Sequence, residues 1–159
     1  MIKKQKGEPK YKSAPAGKEI RLGANPDSYL KENPVWRFKD FDWDGPWGQE
    51  TCIYCIRDMK KYIEKHLASL ETMTWEEILK ASGGRKYGSG GNSHHMSVEK
   101  LTKDAKDRLK VRGINADTVF SLRLEQCVRI YGVREGNCLS IVFLDPHHCQ
   151  RDGRAAYKW

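Results

Sequence analysis

The sequence has no run of about 18 apolar residues, the length that a membrane-spanning helix needs. Its basic N-terminus is not followed by an apolar core, so we expect neither a transmembrane helix nor a secretory signal peptide. The cysteines number five, and without a secretory signal this odd number predicts free thiols in a reducing compartment. We therefore expect a cytoplasmic protein with no membrane partner.

The short motifs of nucleotide cofactors and metal centres are also missing. The glycine-rich stretch 82–95 matches neither the phosphate-binding loop nor the dinucleotide-binding glycine pattern, so we expect no cofactor. A second Cys-x-x-Cys pair and a clustered acidic motif are both absent. A zinc site is an alternative, with Cys52 and Cys55 joined by His148 and Cys149, but buried free thiols explain the same cysteines.

Positive charge is what the sequence has in excess. The net charge is +8 on 159 residues, and the mean hydropathy is −0.76. Residues 1–23 carry +5, residues 24–81 carry −3, residues 82–112 carry +5 and residues 113–159 carry +1. The basic blocks favour an anionic partner, most simply a nucleic acid, although solvated surface lysines would give the same composition. The candidate nucleic-acid contacts in the second block are Arg85, Lys86, Lys103, Lys106, Lys110 and Arg112.

The first 48 residues show no helical period. Residues 1–25 are rich in lysine, proline and glycine, which predicts a disordered or wrapping tail. Residues 26–48 carry six aromatic side chains, some alternating as in an extended chain, and we interpret them as an irregular segment anchored to the domain by these rings. Base stacking on single-stranded nucleic acid is the alternative, which Asp40, Asp42 and Asp44 disfavour because carboxylates repel phosphates.

Residues 26–159 are predicted to form a single domain. Helical periodicity within it begins at residue 49. Apolar side chains recurring every three or four positions predict a long helix over 49–70. Thr74 is expected to cap a second, short helix, and a third is expected between Ser97 and Gly113.

The last third changes to a two-residue period. This alternation predicts strands at 121–124, 127–133 and 138–144, and Gly136-Asn137 is typical of a hairpin turn between the last two. Helices followed by an antiparallel meander predict an α+β fold, with helices packed on a small antiparallel sheet.

The order of elements over about residues 98–150 resembles the RelE/ParE superfamily of bacterial toxins. The stretches SLRLEQCVRIYGV and EGNCLSIVFLDPHH, with the closing Tyr157, carry this resemblance. The resemblance implies helices packed on a small antiparallel sheet and an endoribonuclease that acts on messenger RNA, often on the ribosome. It also implies an antitoxin as a protein partner.

Metal-independent RNA cleavage needs a base for the 2′-hydroxyl, a cation for the pentavalent phosphate and an acid for the leaving 5′-oxygen. Arg123 and Arg129 are expected on the polar faces of neighbouring strands, where both could bind one phosphate. His147 or His148 follows the last strand and is the candidate acid or base. The candidates for stacking on a base are Tyr131 and Tyr157.

The sequence therefore predicts an RNA-binding protein and a metal-independent endoribonuclease of the mRNA interferase kind. The alternatives are a non-catalytic nucleic-acid-binding domain, a protein-interaction domain and a small zinc-binding protein. In those alternatives the two strand arginines are ordinary solvent-facing residues.

Overall fold

The computed structural model of the chain describes residues 28–50, 56–81, 93–125 and 127–159. These residues form a five-stranded mixed sheet in the order β1-β5-β4-β3-β2. The strands are β1 (Val35–Arg37), β2 (His94–Ser97), β3 (Thr118–Arg123), β4 (Arg129–Glu135) and β5 (Cys138–Asp145). The helices are α1 (Ile56–Leu70), α2 (Trp75–Lys80) and α3 (Lys103–Val111). The predicted α+β fold is confirmed.

The predicted meander occupies the middle of the sheet. β3 pairs with β4 and β4 pairs with β5, both antiparallel. Gly136 makes the β4–β5 turn with a φ of 58°, a conformation that glycine adopts without steric cost. The alternation within β4 is also confirmed, because Ile130 packs into the core on one face of the sheet and Tyr131 into the core on the other.

Both edge strands were missed by the sequence analysis. β1 lies in the segment expected to be irregular and pairs with β5 in parallel. β2 begins at His94, which was expected in the glycine-rich loop, and it pairs antiparallel with β3. Residues 1–27 and 82–92 lie outside the described part of the chain, and with them the predicted tail and loop.

Each face of the sheet is covered by its own hydrophobic core. On one face, α1 and α2 contribute Ile63, Leu67 and Trp75, all buried. On the other face, α3 contributes Leu109, and a helical turn at Pro46–Glu50 contributes the ring of Trp47. Burial on both faces explains why a sequence of low hydropathy still forms a sheet.

The aromatic segment is held by packing, as the sequence analysis favoured over base stacking. The ring of Trp36 makes an edge contact with Trp75 at 5.9 Å, and Trp47 lies 5.3 Å from Phe143 between ring centroids. Phe41 has no exposed surface. These contacts fix the segment across the sheet as the predicted anchoring requires.

The helix ends follow local capping, with one exception. Thr74 accepts a hydrogen bond from the backbone of Glu77, whose side chain accepts one from Thr74, so the predicted capping box at α2 is confirmed. Gly113, with a φ of 69°, follows the end of α3 as predicted. α1 is confirmed over Ile56–Leu70, while 51–55 lie outside the described residues.

The third helix begins later than predicted. Ser97 caps only a short 3-10 turn, and α3 starts after Thr102. The break arises because Leu101 pairs with Tyr157 as an isolated bridge, and the amide of Thr102 donates to the carbonyl of Ala156 at 2.8 Å. Tertiary pairing with the C-terminal segment thus overrides local helix propensity. In the part of the chain described, we find no helix with the length and apolar character needed to cross a membrane.

Candidate functional site

Two arginines face each other across the middle of the sheet. Arg123 ends β3, Arg129 begins β4, and their Cα atoms are direct partners in the antiparallel register. Directly opposed residues project to the same face, here the α3 face of the sheet, which we call the arginine face. Both guanidinium groups donate to the carbonyl oxygen of Glu125, Arg123 from Nε at 3.2 Å and Arg129 from Nη1 at 2.8 Å. The two guanidinium groups therefore meet at one backbone carbonyl, and Arg129 is 8% exposed.

A tyrosine and a histidine continue the same face. Tyr131 lies two residues after Arg129 on β4, and its hydroxyl is 2.8 Å from Nδ1 of His148. Tyr131 is 1% exposed, and this burial raises its pKa, so the hydroxyl keeps its proton at neutral pH. We call Arg123, Arg129, Tyr131 and His148 the His148 site.

Burial keeps the imidazole of His148 neutral. Desolvation is the largest cause, and together with the nearby charges of Arg129 and His94 it lowers the pKa of His148 to about 4. The tautomer sets the chemistry of the other ring nitrogen. When Nδ1 carries the proton and donates to Tyr131, Nε2 is an acceptor and can serve as a base; in the other tautomer Nε2 is a donor.

Several bonds hold His148 in place. Its backbone amide donates to the carbonyl of Cys127 at 3.2 Å, and the indole of Trp159 donates to its carbonyl at 2.9 Å. The rings of Tyr157 and Trp159 lie 5.3 and 5.5 Å from the imidazole. Tyr157, the candidate for base stacking, thus lies against His148, while Trp159, which is half exposed, was not anticipated.

A disulfide ties this turn to the sheet and corrects the expectation of free thiols. Cys127, just before β4, is bonded to Cys149, just after His148. Cys138 is a free, buried thiol as expected. Cys52 and Cys55 lie outside the described residues. The bond joins two segments 22 residues apart, which limits how far His148 can move from Arg129.

The structure corrects the expectations for two further site residues. His147 is 3% exposed and has no hydrogen-bond partner at Nδ1 among the described residues, so its imidazole is out of reach of a substrate. The ring of Tyr131 is buried and has no face to offer to an RNA base. Its place in the site is as the partner of His148. The sequence could not distinguish His147 from His148, because both lie in a turn where no periodicity applies.

A buried carboxyl group lies beneath the site. Asp145 ends β5, is the Cα partner of Arg129 and has no exposed surface. Its two oxygens accept hydrogen bonds from the amides of His147 at 2.8 Å and Ala156 at 2.9 Å. Burial nevertheless dominates and raises its pKa to about 6. No pattern in the sequence marks Asp145 as part of a site.

Asp145 and His148 give opposite pH dependences of stability. The pKa of Asp145 is raised from 3.8 to about 6, so its contribution to stability is present below pH 4 and lost as the pH rises through 6. The pKa of His148 is lowered from 6.5 to about 4, so its contribution is present above pH 6.5 and lost as the pH falls through 4. Between pH 4 and 6 the two groups change the free energy of unfolding in opposite directions, and the two changes offset each other.

We therefore expect His148→Gln to reveal the pH dependence of stability that Asp145 contributes. Relative to the wild type, the variant should lose stability as the pH rises from 4 to 6, by up to about 3 kcal/mol for a shift of roughly two pKa units. Asp145→Asn should show the opposite slope. Urea unfolding at pH 4, 5 and 6 measures both. Parallel curves for the wild type and both variants would contradict the assigned shifts.

The basic side chains of α3 have varied surroundings. Lys103 is exposed, whereas Lys106 forms an ion pair with Glu99 at 3.0 Å and Lys110 lies 3.7 Å from Asp107. Arg112 donates to the carbonyls of Lys39 and Asp40, which gives it a structural role in holding the aromatic segment. Arg85 and Lys86 lie outside the described residues. The predicted nucleic-acid contacts on α3 are thus on the surface but largely engaged with neighbouring groups.

One buried ion pair was not anticipated. Arg108 of α3 donates from Nε to Oδ2 of Asp42 at 2.7 Å and from Nη2 to Oδ1 at 2.5 Å, and Asp42 is 1% exposed. A β-carbon on Gly45 would lie 1.9 Å from Oδ2 of Asp42, so glycine is required beside the pair. Asp42 was expected to be a carboxylate that repels phosphates, and its burial removes it from that role.

A zinc centre finds no assembled ligand set among the described residues, which contain no group of three histidine, cysteine or acidic side chains placed to hold a metal. Of the four residues of the zinc alternative, Cys149 is in a disulfide and His148 bonds Tyr131 through Nδ1. Cys52 and Cys55 are outside the described residues.

The chain was compared with protein-family profiles, with curated proteins and with solved structures, and none of them matches it.

Proposed function

We propose that the chain is an RNA-binding, metal-independent endoribonuclease with a RelE/ParE-like fold. The observation that supports this most is the bond between His148 and Tyr131 on the face where Arg123 and Arg129 are paired. A neutral imidazole beside two guanidinium groups is a combination suited to phosphodiester cleavage.

Each group has a role in this reaction. Nε2 of His148 removes the proton from the 2′-hydroxyl, which requires the neutral imidazole that burial favours. The 2′-oxygen then attacks the adjacent phosphorus. The guanidinium groups of Arg123 and Arg129 stabilise the negative charge of the pentavalent phosphate, because arginine donors match phosphate oxygens. Tyr131 orients the imidazole and does not need to contact RNA.

The same proposal extends to substrate and partners. Messenger RNA is the expected substrate, with the ribosome as a site of action, and an antitoxin protein is the expected inhibitor. An acidic antitoxin would act by neutralising the two arginines. The proposed location of this activity is the cytoplasm.

The test is incubation of the purified protein with free and ribosome-bound messenger RNA in EDTA. We expect products with 2′,3′-cyclic phosphate and 5′-hydroxyl ends, because the 2′-oxygen is the nucleophile. Arg123→Gln should slow cleavage, whereas Lys80→Gln should not, because it removes the same charge from an exposed position of α2 on the opposite face of the sheet. Absence of cleavage with both substrates would overturn the proposal. Salt-sensitive binding without cleavage would instead favour the non-catalytic nucleic-acid-binding alternative.

A further inference from the structure

The proposed reaction needs a second proton-transfer group, since the leaving 5′-oxygen must gain a proton as its bond to phosphorus breaks. His147 cannot supply it, because its imidazole is 3% exposed and a substrate cannot reach it. The described residues of the arginine face offer one other histidine. That residue is His94, at the start of β2.

The strand register places His94 in one row with the His148 site. His94 is the Cα partner of Ser121 on β3, and Ser121 is the Cα partner of Tyr131 on β4. Directly opposed residues share a face, so His94, Ser121 and Tyr131 all project to the arginine face. With neighbouring strands about 4.8 Å apart, the backbones of His94 and Tyr131 are about 10 Å apart. His94 therefore lies two strands away from Tyr131, whose hydroxyl contacts Nδ1 of His148 at 2.8 Å.

A second bond fixes the start of β2 beside the arginines. Ser93, immediately before His94, accepts a hydrogen bond from the backbone amide of Arg123 at 3.0 Å and is buried. His94 itself is exposed, so solvent and substrate can reach its imidazole. The charge of His94 also contributes to the lowered pKa of His148, which is consistent with their closeness.

The next residue, His95, lies on the opposite face and has different surroundings. It is the Cα partner of Phe120, whose ring it contacts at 5.0 Å between centroids. Its Nε2 is 2.8 Å from Nη2 of Arg134. Two adjacent histidines thus differ in face and in partners, which makes His95 a control for His94.

We propose that His94 is the general acid that protonates the leaving 5′-oxygen, with His148 as the base. This inference rests on the proposed function. The 2′-oxygen forms a bond to phosphorus and gives its proton to His148, the bond from phosphorus to the 5′-oxygen breaks, and the 5′-oxygen takes a proton from His94. The products are a 2′,3′-cyclic phosphate and a 5′-hydroxyl, and solvent returns the proton from His148 to His94.

The test compares two substrates that differ in their need for an acid. One is an ordinary single-stranded oligoribonucleotide; the other is uridine 3′-(4-nitrophenyl phosphate), whose nitrophenolate leaves without protonation. We expect His94→Ala to lower the rate on the oligoribonucleotide by about 100-fold and to change the rate on the activated substrate by less than about threefold. His148→Gln should slow both substrates, since both need the base. His95→Ala should affect both substrates equally, and only as far as it affects folding, which circular dichroism follows.

The outcomes separate this inference from the proposed function. If the wild type cleaves both substrates and His94→Ala cleaves the oligoribonucleotide at the wild-type rate, His94 is not the acid, although the nuclease proposal stands. Equal loss on both substrates by a folded His94→Ala variant would also overturn the acid role. If the wild type cleaves neither substrate, the proposed function itself fails.

Discussion

Replacement of His148 with glutamine should lower the rate of RNA cleavage by about 1000-fold, the largest effect that we expect from any single substitution. The loss follows because general base catalysis contributes about 10²- to 10⁴-fold, and glutamine cannot accept the proton of the 2′-hydroxyl. Single-turnover cleavage of a labelled oligoribonucleotide in EDTA measures it. A decrease of less than threefold would remove His148 from the reaction.

Tyr131→Phe should lower the cleavage rate by a much smaller factor than His148→Gln. The variant keeps the buried ring and loses only the hydroxyl that bonds Nδ1 of His148 at 2.8 Å. One such hydrogen bond is worth about 1 kcal/mol, which corresponds to about a fivefold loss of rate. A role in positioning the imidazole also predicts a displaced pH–rate profile, which a purely structural effect on folding would not produce. His66→Gln, on α1 and paired with Glu125 at 3.0 Å, is a control histidine outside the His148 site.

The second large effect is on the free energy of unfolding, and it differs between the two partners of the Arg108–Asp42 ion pair. Arg108→Met should lower the free energy of unfolding by about 3–5 kcal/mol, because it leaves the carboxylate of Asp42 buried without its cation. Asp42→Asn should cost less, about 1–3 kcal/mol, since the side chain of Arg108 is 26% exposed and its charge can still reach water. The double variant should be more stable than the sum of the two losses predicts.

Urea unfolding of the wild type, both single variants and the double variant measures this asymmetry. Lys80→Met is the matched control, because Lys80 forms an exposed ion pair with Glu76 and such pairs contribute at most about 1 kcal/mol. A smaller loss for Arg108→Met than for Asp42→Asn would contradict the account of Asp42 as the costly partner.

The sequence predicted those parts of the fold that depend on neighbouring residues. The meander followed from alternation within β3, β4 and β5 and from the turn at Gly136, where pairing partners are close along the chain. The edge strands were missed because three or four residues carry too little periodicity to identify a strand. Their pairing depends on residues elsewhere in the chain, such as Cys138 for Val35 and Ser121 for His94.

The candidate site was likewise predictable only where it depends on neighbouring residues. The pairing of Arg123 with Arg129 could be predicted, because both lie on one hairpin and the two-residue period determines their face. The orientation of His148 could not, since it depends on the turn after β5, on the disulfide to Cys127 and on the bond to Tyr131. The burial of His147 and Asp145 depends on how the C-terminal segment packs, which local sequence does not determine.

The parallel pairing of β1 with β5 has a consequence for the order of folding. Val35 and Cys138 are partners although 103 positions separate them along the chain, whereas the strands of the meander are joined by short turns. Closing so long a loop costs more chain entropy than closing a hairpin, so we expect the meander to form early and β1 to join a sheet that already exists. The Arg123–Arg129 pair belongs to the early part, and the covering aromatic segment completes the protein afterwards.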